Sequence, residues 1–204
     1  MCCLIEKLKI SALLLLVMMM LVSCNDQVIP KPKAYPRIIF PEKSFETFEA
    51  TYCPFKMQMP TYSTVERDST FFNQKTEHPC WVNVKFGQFK GTIHMNYKPI
   101  DGMASFEKLL EDAHKLTYKH SYKAKFIDDE LFQTETGATA MVYSVGGNAA
   151  SNVQFFVTDQ QKHYVRGALY FETVPNIDSI LPVVNFVKQD MVHLINTLEW
   201  TDEL

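Results

Sequence analysis

The sequence predicts an α+β fold: a twisted antiparallel β-sheet with helices packed on it. Three observations carry this expectation. Runs such as Val82–Phe86 and Ile93–Tyr97 alternate apolar and polar residues with a period of two. Short turns join successive runs between residues 123 and 171, which makes neighbouring strands antiparallel. Two other segments, around Leu109 and Val187, space their apolar residues three and four apart, as one face of a helix requires.

The first 23 residues read as a lipoprotein signal peptide. Lys7 and Lys9 outweigh Glu6, and the 13 residues Ile10–Val22 are almost wholly apolar. That run is shorter than the roughly 20 residues a membrane-spanning helix needs, and it has the length of a signal-peptide apolar region. It ends in Leu21-Val22-Ser23-Cys24, the lipobox pattern, with Cys24 as the lipidation site. An ordinary secretory signal, or a short anchor that happens to end in cysteine, is the alternative. Two or more acyl chains, palmitate among them, hold a protein stably on a membrane because each buried CH₂ adds ~0.8 kcal/mol. Residues 24–41 then form a tether containing Pro30, Pro32, Pro36 and Pro41. Polyproline geometry at ~3.1 Å per residue would span about 50 Å. Tyr35-Pro36-Arg37 is either plain tether or a docking strip.

One globular domain follows, over residues 42–204. Phe55–Met59 is a half-buried strand, and Val82, Val84 and Phe86 form another. A turn over Gly87–Gly91 leads to Ile93, Met95 and Tyr97, closing a hairpin. Phe106, Leu109, Leu110 and Ala113 then mark a helix, continued by Leu116 or Thr117. Asp101 or Ser105 can cap it, and Glu111 and Lys115 form a favourable i,i+4 pair. A meander runs from Lys123 to Phe171, with strands at Ala138–Val145, Val153–Thr158 and Tyr164–Phe171. Gly146 and Gly147 supply positive φ at a turn. The last helix, capped by Asp178 or Ser179, carries Pro182 in its first turn and the stripe Val183, Val187, Met191, Leu194 and Leu198. This order of elements is like the Mog1/PsbP-type sandwich, an analogy of fold that says little about function.

Removing the signal takes Lys7, Lys9 and Glu6, leaving 18 basic and 22 acidic residues. With no basic run, a nucleic-acid partner is not expected. Cys2 and Cys3 leave with the signal, so the domain keeps Cys53 and Cys80. In an oxidising compartment an even pair suggests a disulfide, two buried free thiols being the alternative. There is no G-x-S-x-G, H-E-x-x-H, Walker loop or C-x-x-C. No two of His78, His94, His114, His120, His163 and His193 lie four apart, so neither a metal site nor a cofactor site is expected. Ser144 and Ser151 flank the Gly-Gly pair, but between two strands, where a nucleophile elbow does not occur.

Two features invite a binding role. Arg166 shares a strand face with Tyr164, Ala168 and Tyr170, where it could hold a carboxylate or lie over the sheet with its head in water. His114, Lys115, Tyr118 and His120 cluster near a helix end, as a recognition surface or as a solvated exit whose cations favour the helix dipole. Tyr35, Arg37, His114, Lys115, Tyr118, His120 and Arg166 are therefore the candidate interaction residues.

Several segments together resemble the gliding-motility lipoprotein family GldD of the Bacteroidota. They are 31–37 (KPKAYPR), Cys53-Pro54, Cys80-Trp81, 97–100 (YKPI), 110–120 (LEDAHKLTYKH), 145–151 (VGGNAAS), 166–171 (RGALYF) and 193–200 (HLINTLEW). The resemblance covers nearly all the mature chain. It implies an envelope lipoprotein needed for the gliding machinery and, through it, for type IX secretion. It supplies no catalytic residues, and it pairs Cys53 with Cys80. Asn25-Asp26-Gln27 lacks the acidic run associated with export to the surface in this phylum, so the anchor is expected to face the periplasm, from either membrane.

The sequence thus points to a non-catalytic lipoprotein that binds envelope proteins. A periplasmic module for a small hydrophobic or peptide ligand is the alternative, and an enzyme using His114, His120 or Arg166 is a third reading.

Overall fold

The computed structural model describes residues 37–68, 70–71, 74–75, 78–119, 123–173 and 176–201. The signal segment, Cys24, Tyr35 and His120 lie outside the described residues. The described chain belongs to one compact unit, residues 35–204.

The main sheet has seven antiparallel strands. Five of them are β3 (Thr64–Arg67), β6 (Trp81–Phe86), β7 (Gly91–Pro99), β8 (Ala124–Gln133) and β9 (Thr139–Gly147); the others are β10 (Ser151–Thr158) and β11 (His163–Phe171). Their spatial order is β3-β6-β7-β11-β10-β9-β8. A smaller sheet joins β1 (Phe45–Glu49) and β2 (Phe55–Pro60) to β12 (Glu199–Trp200), and β4 (Thr70–Phe71) pairs with β5 (Gln74–Lys75). Helix α1 spans Gly102–Tyr118 and α2 spans Ile177–Asn196.

The predicted α+β class and antiparallel sheet are present. The two helices take opposite faces of the main sheet, as the strand alternation dictates. Val142, Phe155, Val157 and Val165 point into a large core with Val183, Val187, Met191 and Leu194 of α2 and with Phe55, Met57 and Met59 of β2. Their neighbours Tyr143, Phe156 and Tyr164 point the other way, against Ala113, Leu109 and Leu110 of α1. Cys53 and Cys80 are buried and joined by a disulfide, which ties the entry to β2 to the start of β6.

Several local expectations are corrected. Ser105 lies inside α1, and Asp101, at the N-cap position, makes no side-chain cap bond. Thr117, not Leu116, continues the buried stripe of α1; its hydroxyl donates to the Ala113 carbonyl at 2.9 Å, which satisfies it internally. Helix α2 starts earlier than Asp178 or Ser179 implies: Asn176 is the N-cap, and the Ile177 N–H donates to Asn148 Oδ1 at 3.0 Å. Pro182 is consequently the sixth helical residue, past the first turn, so it removes one N–H from the i→i−4 ladder of the helix. Leu198 lies just beyond the helix yet is fully buried. Of the two glycines, only Gly147 has positive φ, at 92°. Gly146 serves close approach instead, since a Cβ there would meet the Phe126 ring at 2.3 Å.

The tether reaches the domain before residue 42. Ile38 and Phe40 pack against the main core, with Phe40 stacked on Phe186 of α2 at 4.5 Å between ring centroids. Lys43 bonds to the buried carboxylate of Asp190 and to the Phe186 carbonyl, and Tyr62 Oη donates to the other oxygen of Asp190 at 2.8 Å.

The turn from β10 to β11 depends on an ionised carboxylate. Asp159 Oδ1 accepts backbone N–H bonds from Gln161, Lys162 and His163 at 2.8–2.9 Å. Burial pushes this carboxyl up, but the three bonds and the nearby His163 outweigh it and hold the group below its ordinary range. A folded pKa below the unfolded value of about 3.9 gives stability that is present above that pH and lost as pH falls through the folded value. Melting temperatures measured from pH 5 to pH 3 should therefore fall more steeply for the natural chain than for Asp159→Asn. Parallel curves would refute this role.

Candidate functional site

Helix α1 covers β9, β10 and part of β11, and among the described residues it leaves the β6, β7 and β11 side of the same face uncovered. The register places Trp81, Asn96 and Arg166 in one row across those strands, and Asn83, His94 and Ala168 in the next. The bare face and the C-terminal half of α1 bound an open trough. One part, of about 740 Å³, is walled by Trp81, Leu116, Lys119 and Tyr170 with Arg166 in its floor. It continues past Arg166 and Lys119 into a second part of about 450 Å³ lined by Lys98, Asp112 and Lys115.

Arg166 is the chemical centre of this trough. Its head is not simply in water: it donates to Gln154 Oε1 at 2.6 Å beneath α1, and Gln154 is 1% exposed. Thr117 Oγ1 reaches the same oxygen at 3.4 Å, while the amide nitrogen of Gln154 has no hydrogen-bond partner among the described residues. Leaving a buried donor unpaired costs about 1–3 kcal/mol, so Gln154 is oriented by the cation rather than by its own needs. Burial lowers the tendency of Arg166 to hold its proton, the nearby hydroxyls of Tyr164, Tyr170 and Tyr143 partly offsetting it, but a guanidinium stays charged throughout the physiological range. Among the described residues no carboxylate forms a salt bridge with Arg166.

A polar chain borders the cation. Asn83 Nδ2 donates to Asp68 Oδ2 at 3.3 Å, and His94 Nδ1 lies 2.7 Å from Asn83 Oδ1. The His94 ring packs edge-on against Tyr170 at 5.6 Å between centroids. Burial, helped by Lys85, pulls the His94 pKa down against the pull of Asp68, favouring a neutral ring with Nδ1 as donor.

The candidate residues divide between this trough and other surfaces. Arg166 and Lys115 line it, Lys115 paired with Glu111 at 2.6 Å. His114 and Tyr118 stack on each other at 4.1 Å on the exposed side of α1. Arg37 is exposed at the tether entry, next to residues that pack on the opposite core. Tyr170 is read from sequence beside Arg166 and Lys119 lies within the segment 114–120, but Trp81, His94 and Asn96 are not among the candidate interaction residues. The signal was there in part, because the hairpin alternation puts His94 and Asn96 on its polar face, which reads as solvated.

Among the described residues no three His, Cys, Asp or Glu side chains converge on a metal position, and no helix is long and apolar enough to cross a membrane.

In class the chain is an α+β domain with a trough, lined by Lys98, Lys115, Lys119 and Arg166, between a helix and a sheet. It belongs to the gliding motility lipoprotein GldD family, whose sequence profile matches residues 25–200. The solution structure of cyanobacterial PsbP (CyanoP) from Synechocystis sp. PCC 6803 is similar in part, with a TM-score of 0.43 at 12% identity over 87% of this chain and 97% of that one. No curated protein matches the sequence. Family membership implies a lipoprotein of the cell envelope with a part in gliding motility.

Proposed function

We propose that this protein is a non-catalytic component of the gliding machinery that acts by binding a protein partner, and that type IX secretion depends on it. The anchor in this reading is acylated Cys24, left at the N-terminus after removal of residues 1–23, and the domain faces the periplasm. The observation that carries the reading is the family match across 25–200, which spans the tether and nearly the whole domain. The make-up of the trough supports recognition over chemistry. Arg166 and its neighbours offer charge, aromatic surface and hydrogen bonds, and among the described residues that line the trough no nucleophile lies beside an activating base.

Deleting the gene in a gliding host should abolish spreading and the export of motility adhesins, and the full-length chain should restore both. Normal spreading and export in the deletion strain would overturn the reading.

A further inference from the structure

We propose that the trough beside α1 binds an extended acidic segment of the partner protein, with a carboxylate of that segment seated on Arg166. This rests on the reading above that the protein works by binding another protein, and it names the site and the chemistry of the occupant.

Charge complementarity identifies the occupant. Lys119 and Arg166 line both parts of the trough, in a chain whose own net charge is −3; Asp68 and Asp112 are the lining carboxylates, and Lys115 is already paired with Glu111. Arg166 sits mostly out of water with a neutral amide oxygen as its acceptor and no salt-bridge partner among the described residues. A planar guanidinium in that state offers its free N–H groups as a two-point fork for a carboxylate.

The walls fix the rest. Leu116 is 43% exposed and Tyr170 is 37% exposed, and with Trp81 they offer apolar and aromatic surface in the same trough as the cation. An acidic residue flanked by aliphatic or aromatic ones matches that lining, with Asn96 in the floor available to the backbone of the segment. The shape is a trough continuing past Arg166 rather than a closed cavity, which suits an extended chain more than a compact ligand.

The test uses full-length lipidated protein, purified from membranes in detergent, to select from a displayed library of twelve-residue peptides. Selected peptides should share an Asp or Glu beside an apolar or aromatic residue. Replacing that acid by its amide should weaken binding at least tenfold on the natural protein and leave binding to Arg166→Gln unchanged, because the two changes remove one contact. Lys119→Glu, at an exposed helix end, should weaken the same peptides at least threefold without touching the interior.

Selection of peptides without a carboxylate, or equal binding by both variants, would overturn the proposal. So would Arg166-dependent binding to phosphatidylglycerol vesicles in place of peptides. If peptide binding fails while Arg166→Gln still restores spreading to the deletion strain, the trough assignment falls and the motility reading stands. If the natural chain is itself dispensable for spreading, the broader reading falls.

Discussion

Replacing Cys53 and Cys80 together by alanine is expected to lower the unfolding free energy of the domain by about 3.5 kcal/mol, the loop-closure value for a ring of this length. The bridge spans 27 positions of sequence, so its removal frees a long loop in the unfolded chain while leaving two small buried residues in the core. For a domain of this size the loss corresponds to a fall of about 10 °C in melting temperature. Reduction of the natural protein should reproduce the fall, and reduction of the double variant should change nothing further. A drop below about 1 kcal/mol in denaturant titration would show that the fold holds this loop without the bridge. The consequence reaches the candidate site, because Cys80 immediately precedes Trp81, which forms one wall of the trough. Loosening the start of β6 should therefore weaken recognition at Arg166 before the domain unfolds.

How far the sequence reveals this architecture depends on which faces of each element are buried. The hairpin of β6 and β7 is legible because one face is core and the other is not: Val82, Val84, Ile93 and Met95 are buried, and Asn83 and His94 are not. The stripe of α2 is legible for the same reason. Strand β8 is not, since it lies at the edge of the sheet with most side chains exposed on both faces, and Asp128-Asp129-Glu130 erases any alternation. Such charges protect an edge from pairing with other chains, and the same charges hide the strand from a pattern search. The short strands β1 and β3 bury few of their residues and escape for a related reason.

Arg166 stands out in sequence because a charged residue interrupts an otherwise apolar and aromatic strand. Its setting does not. The trough requires the register that lines Trp81, Asn96 and Arg166 across three strands, and it requires α1 to stop short of covering them. Neither follows from local periodicity, which reports the face a residue occupies but not what lies opposite that face. His114 and Tyr118 illustrate the converse. Their position on a helix is readable, yet they stack on one another at the surface while their neighbours Lys115 and Leu116 reach the trough.

The second large effect is expected at Asp190, where the tether is pinned to the domain. Its carboxylate is 1% exposed and is held by Lys43 and by the Tyr62 hydroxyl. Burial, then the bond and charge of Asp190, push the Tyr62 hydroxyl well above its ordinary pKa, so it serves as a donor at every physiological pH. Asp190→Ala leaves that hydroxyl without its acceptor and releases Lys43 from its seat over the Phe186 ring. Breaking a fully buried pair costs about 3–5 kcal/mol, and because Lys43 keeps 30% exposure and can return to water the lower end, about 3 kcal/mol, is expected here. A double-mutant cycle with Lys43→Met measures the shared part, which should be at least about 1 kcal/mol. The local consequence is sharper than the global one. Freed from α2, the segment containing Phe40 and Lys43 should become a preferred site for trypsin under native conditions, with cleavage after Lys43 accelerated at least tenfold. On the proposed anchoring, that cut separates the domain from its lipid. An unchanged cleavage rate in Asp190→Ala would mean that Ile38 and Phe40 alone hold the tether to the core, and that the buried carboxylate stabilises α2 without fixing where the chain leaves the domain.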